Sequence, residues 1–248
     1  MEKYWVDINC DLGEGFLDDA LLMPYISSAN IACAAHAGND SVMQQTIQLA
    51  IEAGVKIGAH PGFNDPENFG RKEQQCSQSE LTDLIQSQVV RLQKIAQSFG
   101  VSLHHVKPHG ALYNMSAASP DIARVIATAI KEMDASLCLY GLSNSHSIEQ
   151  AKAIGVNCCN EVFADRRYRA DGSLLPRSHP LALLTNPEDG CRQVTQMVMH
   201  QSVLADSGVA IPVLAETICI HGDAPGAAAM AAHIFNYLQL QSIGLQKN

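Results

Sequence analysis

Seven short apolar runs, each followed by a stretch with helical spacing, restrict this chain to a parallel α/β architecture. The runs fall at 5–9, 29–33, 55–59, 103–107, 137–140, 156–160 and 217–220. Their mostly continuous apolar character suits strands covered on both faces. Between them the helices carry start and stop signals. Met43, Ile47, Ala50 and Ile51 form a stripe that Gly54 closes. Ser77 and Glu80 make a capping box ahead of Leu81, Ile85, Val89 and Leu92, with Gly100 as the stop. Ser119-Pro120 and Asn186-Pro187 each set a capping side chain before a proline at the first helical position. The second of these helices is expected to run on to Gly208. Pro225 is expected to open a last helix with Ala228, Ala232, Phe235 and Leu238 inward, and 209–214 predicts a small extra strand before the seventh.

Strand–helix alternation requires right-handed crossovers, which leaves a closed barrel or an open doubly wound sheet. No G-x-G-x-x-G follows the first strand, which weakens the dinucleotide-binding sheet. A length of 248 residues without a linker or low-complexity tract predicts one domain over 1–248.

The ends of the strands are unusual. His36-Ala37-Gly38 follows the second, His60-Pro61-Gly62 the third, Lys107-Pro108-His109-Gly110 the fourth and His221-Gly222-Asp223 the seventh. The first ends in Asn9-Cys10-Asp11-Leu12-Gly13-Glu14. In a parallel barrel all these ends open on one face, so residues distant in sequence converge there. His36, His60, His109 and His221 with Asp11 or Asp223 could hold a divalent metal, with His36, His60 and His221 the ligand candidates, or they could work as general acid and base. No H-E-x-x-H helix motif decides between the two. A lysine at the end of a buried strand must meet a carboxylate or an anionic ligand. For Lys107 the choices are an ion pair with Asp11 or Glu14, or phosphate or carboxylate binding.

After the sixth strand comes Glu161-Val162-Phe163-Ala164-Asp165-Arg166-Arg167-Tyr168-Arg169, running on to Arg177, with four of the sixteen basic residues between 166 and 177. Such a loop is a solvated excursion or a lid with an anion clamp, in which Asp165 and Glu161 orient the arginines. Arg71 could reach the same ligand.

Several classes of function are disfavoured. A net charge of −9 argues against nucleic acid as a partner. The absence of a long apolar stretch predicts no membrane span. Eight cysteines without a C-x-x-C pair suit free thiols in a reducing cytoplasm. There is no Walker A sequence and no G-x-S-x-G elbow, so any nucleotide site is unconventional.

Taken together, the blocks DINCDLGEGF, ISSANIACAAHAGND, GVKIGAHPGFNDPENFGR, HHVKPHGALYN, EVFADRRYRADGSLLPR and TICIHGD resemble the LamB/YcsF family, in the family's order and over nearly the whole chain. The resemblance implies a seven-stranded TIM-like (β/α) barrel akin to those of glycoside hydrolases and polysaccharide deacetylases. It implies ATP-dependent conversion of 5-oxo-L-proline to L-glutamate, with magnesium accompanying ATP and with two partners, the 5-oxoprolinase subunits B and C. The family pattern carries over at Asp11, Glu14, Asn30, His36, His60, Arg71, Lys107, His109, Asp165, Arg166, His221 and Asp223. Within that set Asp11, Lys107, His109, His221 and Asp223 are the expected catalytic residues. Glu14, Asn30, His36, His60, Arg71, Asp165 and Arg166 are expected to bind substrate or phosphate. The family reads Gly-Phe where this chain has Ala34-Ala35, and Asp where it has Asn39, so the pocket beside His36 is expected to be altered. Two other readings of the same residues are a metal-dependent amide hydrolase or deacetylase, and a non-catalytic regulatory protein that binds a small acid.

Overall fold

A computed structural model of the chain describes residues 4–16, 18–223 and 226–245. Its strands are β1 (Tyr4–Leu12), β2 (Ser28–Ala32), β3 (Lys56–His60), β4 (His105–Val106), β5 (Cys138–Leu142), β6 (Asn157–Phe163), β7 (Ser202–Leu204), β8 (Ala210–Pro212), β9 (Thr217–His221) and β10 (Ile243–Leu245). The helices are α1 (Asp19–Leu22), α2 (Asp40–Ala53), α3 (Gln78–Ser98), α4 (Gly110–Ala118), α5 (Pro120–Met133), α6 (His146–Ile154), α7 (Pro187–His200) and α8 (Ala227–Leu240).

Strands β1 to β6 and β9 lie side by side in that order, all parallel, and β9 returns to β1, closing a seven-stranded barrel. The short β10 pairs with the start of β1. The register sets Asp11 beside both Asn30 and His221, and Ala32 beside His60. Strand C-terminal ends therefore share one mouth.

Alternation along β1 explains what fills the barrel. Val6, Ile8, Cys10 and Leu12 belong to the apolar core, whereas Asp7, Asn9 and Asp11 bond to groups on other strands across the interior. The expectation of apolar strands on both faces therefore fails inside the barrel. Asn9 Nδ2 donates to Glu161 Oε1 (2.8 Å) and Thr217 Oγ1 (2.7 Å), and Asn30 Nδ2 donates to Asn9 Oδ1 (2.7 Å). Successive strand residues point to opposite faces, so polar residues at every second position of a mixed run gather inside. Such a lining is stable only if its members satisfy one another. Gly58 belongs to it through absence: a Cβ there would lie 2.1 Å from His105 Nε2, which donates to Asn30 Oδ1 at 2.7 Å.

Helices cover the outer face. The Ser77 capping box, the Ser119 cap with Pro120, the Asn186 cap with Pro187 and the Gly54 stop all form. Ile47, Ile85, Val89, Leu92, Ile126 and Ile130 are fully buried beneath them. Each such side chain contributes about 1.5–3 kcal/mol by leaving water.

Three local expectations need correction. The helix from Pro187 ends at His200, where Gln201 turns left-handed at φ 48°, and does not reach Gly208. The chain beyond it is β-branched around a Gly208 turn and forms an antiparallel hairpin, Val203 opposite Ile211. The extra strand predicted at 209–214 forms, over Ala210–Pro212, as the second arm of that hairpin outside the barrel. Strand β4 shrinks to two residues, because Pro108 offers no N–H to extend the ladder. In α8 the inward stripe is Ala227, Met230, Ala231, Ile234 and Leu238, one residue away from the expected Ala228, Ala232 and Phe235. The expected opening residue Pro225 lies outside the described residues. Among the described residues no helix is long and apolar enough to cross a membrane, and all eight cysteines are free thiols.

Candidate active site at the barrel mouth

A cavity of about 1050 Å³ opens at the mouth. Asp11, Glu14, His60, Arg71, Lys107, His109, Arg166, His221 and Asp223 all line it, together with Arg177. Asn30 lies deeper, in the polar lining, where its Nδ2 also donates to Asp11 Oδ1 at 2.8 Å. His36 stands behind His109, in the loop beyond β2 and not at a strand end. Asp165 stands behind His221.

Lys107 is held by the wall itself. Its ammonium lies 2.8 Å from Asp11 Oδ1, 2.9 Å from Glu161 Oε1, 3.2 Å from Asn9 Oδ1 and 3.0 Å from Cys219 Sγ. An ammonium has three N–H groups, so these neighbours use all of them. The ion-pair alternative is thus realised with Asp11 and Glu161, not with Glu14. Burial opposes both charges, yet the pairing prevails. Lys107 stays protonated well above the ordinary lysine range, and His60 and Lys107 hold the Asp11 carboxyl well below the carboxylate range.

His221 forms a dyad with Asp165. His221 Nδ1–H donates to the carboxylate, with both oxygens at 2.9 Å, and the His221 backbone N–H reaches Asp165 Oδ2 at 3.2 Å. Burial pushes the Asp165 carboxyl up, but the His221 ring and these hydrogen bonds outweigh it and bring it below the usual value. With Nδ1 engaged, Nε2 is the basic nitrogen of a ring that lines the cavity. Phe163 stacks on the ring at 5.4 Å and fixes its plane. Asp165 therefore orients a histidine, not the loop arginines.

The rim carries the arginines. Arg71 and Arg177 (3.2 Å from Arg177 Nη1) both pair with Asp223 Oδ2. Burial raises the Asp223 carboxyl, but Arg177 and the other cations keep it below its usual value. Two guanidinium groups on one carboxylate leave a positive balance facing the cavity. Arg166 Nη2 donates to Leu175 O, while its buried Nε has no partner among the described residues. The 166–177 segment is a fixed wall: Tyr168 is fully buried, its hydroxyl accepts from Phe163 N at 2.8 Å, and it bridges to Leu174 and Ala205.

A histidine cluster occupies the opposite side. His60 Nδ1 lies 2.7 Å from Lys107 O, and His109 Nε2 lies 2.8 Å from Phe69 O. Both carbonyls can only accept, so each of those nitrogens carries hydrogen. The remaining nitrogens, His60 Nε2 and His109 Nδ1, face each other at 2.9 Å. His36 stacks on His109 with ring centroids 3.7 Å apart. Burial brings His36 down to about 3 and holds His109 well below the histidine range. Glu14 Oε1, buried and without a hydrogen-bond partner among the described residues, lies 3.4 Å from His36 Nε2 and 3.6 Å from His109 Nδ1. Burial, and then Asp11 and Asp223, push its carboxyl well above the usual range. Gly70, at φ 61°, brings the 65–71 turn against this cluster; a Cβ there would meet His36 Cβ at 2.8 Å.

The departures noted beside His36 fall outside the cavity. Asn39 is exposed and caps α2, accepting from Val42 N at 3.1 Å. Ala34 takes the left-handed conformation at φ 60°.

Sequence pattern offers Arg177 only as one of four basic residues in the 166–177 loop, Asn9 only as the start of the polar end of the first strand, and Glu161 only as a partner for arginines. Asn9 carries one signal, its place two residues before Asp11 on the same strand face.

A sequence profile of the LamB/YcsF family matches residues 6–248. A protein of Tolumonas auensis named as the A subunit of 5-oxoprolinase is 49% identical over 234 residues, 92% of this chain and 93% of that protein. The crystal structure of a lactam utilization protein from Thermus thermophilus aligns with a TM-score of 0.91 at 36% identity, covering 98% of this chain and 99% of that one. A peptidoglycan deacetylase from Bacillus subtilis aligns with a TM-score of 0.50 at 13% identity over 98% of this chain and 87% of that one, a likeness of fold alone.

Proposed function

The chain belongs to the LamB/YcsF family, and from that premise we propose that it is the A subunit of an ATP-dependent 5-oxoprolinase. In that role it opens 5-oxo-L-proline to L-glutamate with partner subunits B and C. The observation that carries the reading is the 49% identity, over nine-tenths of both chains, to a protein named as the A subunit of 5-oxoprolinase.

The chemistry required matches the side chains at the mouth. A five-membered lactam is a resonance-stabilised amide, and its opening needs an external drive, which ATP supplies by phosphorylating the lactam oxygen. Water then adds to the carbonyl carbon, the C–N bond breaks, the nitrogen leaves with a proton, and a second water hydrolyses the acyl phosphate so formed to the carboxylate and inorganic phosphate. His221, oriented by Asp165, takes the proton from water and returns it to the leaving nitrogen. Arg71 and Arg177 hold the substrate carboxylate or a phosphate at the rim, and the unpartnered Nε of Arg166 suits the same anionic group. Lys107, with its donors committed, positions Asp11 and Glu161 and keeps Asp11 ionised. Asp223 aligns the two rim guanidinium groups.

The test is reconstitution. The chain combined with subunits B and C, 5-oxoproline and Mg-ATP is expected to yield glutamate, ADP and phosphate, and omission of the chain is expected to abolish all three. A complete, folded assembly without oxoproline-dependent ATP hydrolysis contradicts the reading.

A further inference from the structure

Five polar atoms converge at the histidine side of the mouth, and among the described residues no group from outside this cluster donates a hydrogen bond to them. They are His60 Nε2, His109 Nδ1, Glu14 Oε1, Asp11 Oδ2 and His36 Nε2. The first two face each other at 2.9 Å with their distal nitrogens already donating to backbone carbonyls. Without a proton or a cation between them, the two rings would present lone pair to lone pair, which is repulsive. Glu14 Oε1 is buried without a hydrogen bond, 3.6 Å from His109 Nδ1. Both ring nitrogens of the buried His36 are also without partners among the described residues. Lys107 does not meet this need, because it serves the other oxygen of Asp11.

We propose that His60 Nε2, His109 Nδ1 and Glu14 Oε1 bind a divalent first-row cation, zinc by preference, with a further position open to the cavity. Bonds of about 2.0–2.1 Å set tetrahedral ligand separations of about 3.3 Å. The measured 2.9 and 3.6 Å bracket that value. One ligand atom each from Glu14, His60 and His109 lies within 4.8 Å of the others. The carbonyls of Lys107 and Phe69 fix the tautomers as outer partners of metal-bound imidazoles do. The His60 and His109 rings are nearly perpendicular, at 86°, so their lone pairs can meet at one point. His36 is parallel to His109 at 2°, so its plane runs beside that point, and it backs the His109 ring without ligating. All three ligands line the cavity, which leaves the ion accessible. His221 takes no part, because none of its ligand atoms joins the group that Glu14, His60 and His109 form within 4.8 Å.

Ion binding is read out directly, so the test stands apart from the oxoprolinase reading. The chelator-stripped chain is titrated with Co²⁺ and with Zn²⁺, followed by visible absorption and by metal analysis after dialysis. One equivalent of zinc is expected per chain, displacing cobalt whose d–d bands appear without thiolate charge-transfer bands. His60→Ala, His109→Ala and the isosteric Glu14→Gln are each expected to weaken binding beyond the ~10–100-fold typical of outer partners. His221→Ala is expected to leave binding unchanged. Circular dichroism checks folding, and Glu14→Gln decides if the alanine variants fail to fold. Failure to take up a stoichiometric ion, thiolate bands, or full affinity in Glu14→Gln overturns the proposal.

Discussion

Ala34 sits at φ 60°, where a Cβ crowds the backbone and glycine is at ease. Ala34→Gly is therefore expected to raise stability by ~1 kcal/mol in urea unfolding, and an equal loss would show that the alanine side chain packs well enough to offset its conformation. At the same scale, the His221–Asp165 pair depends on Asp165 accepting from Nδ1. Asp165→Asn is expected to lower turnover ~100- to 10,000-fold in the complete assembly, the range of general acid–base catalysis. Asp165→Asn combined with His221→Ala is expected to cost little more than either change alone, because the two side chains act as a unit. The candidate residues are legible in the sequence because each follows an apolar run. Their partners are not: Glu161 belongs to Lys107 only once β4 and β6 share the barrel interior, and Asp165 to His221 only once β6 and β9 are neighbours, which the order of residues does not reveal.

At the level of elements, β4 shows how a buried strand couples the interior to pH. His105 is fully buried, stacked on Tyr140 at 4.1 Å, and donates to Asn30 from Nε2. Burial, and then the cations His104, Lys107 and Lys56, hold it well below the histidine range. The unfolded chain takes a proton near pH 6.5 where the folded chain does not, so this residue makes stability fall as pH drops below that value, by roughly 1 kcal/mol per pH unit. The midpoint temperature is expected to decline from pH 7.5 to pH 5, and His105→Gln is expected to make that decline shallower. An unchanged slope would show that His105 is protonated in the folded state. Helix ends are the most readable elements, because caps are local chemistry: Asn39, Ser77, Ser119 and Asn186 each bond within three residues. The first arm of the β7–β8 hairpin is hidden, because helical spacing from Pro187 gives no warning of the turn at Gln201, whereas its second arm is expected at 209–214. The inward stripe of α8 slips by one residue because nearly every residue there is small or apolar, so period alone does not orient it.

For the whole molecule, alternation of strands and helices indicates a parallel α/β architecture, the family resemblance points to the barrel rather than the open sheet, and the polar residues after the strands indicate which end carries the site. The polar interior is hidden, because Asp7, Asn9, Ser28 and Thr217 look like isolated exceptions in apolar runs until closure brings them together. That closure matters for function, since it joins the His221–Asp165 pair, the arginine rim and the histidine cluster around one cavity. Under the proposed function, this cavity is where the lactam is opened. A crystal of the complete assembly grown with 5-oxoproline and a non-hydrolysable ATP analogue tests that claim most directly. The lactam is predicted to lie in the cavity, its ring nitrogen or carbonyl within hydrogen-bond reach of His221 Nε2 or of a water bound there, and its carboxylate on Arg71 or Arg177. Well-ordered lactam bound elsewhere, with the mouth filled only by solvent, would contradict it.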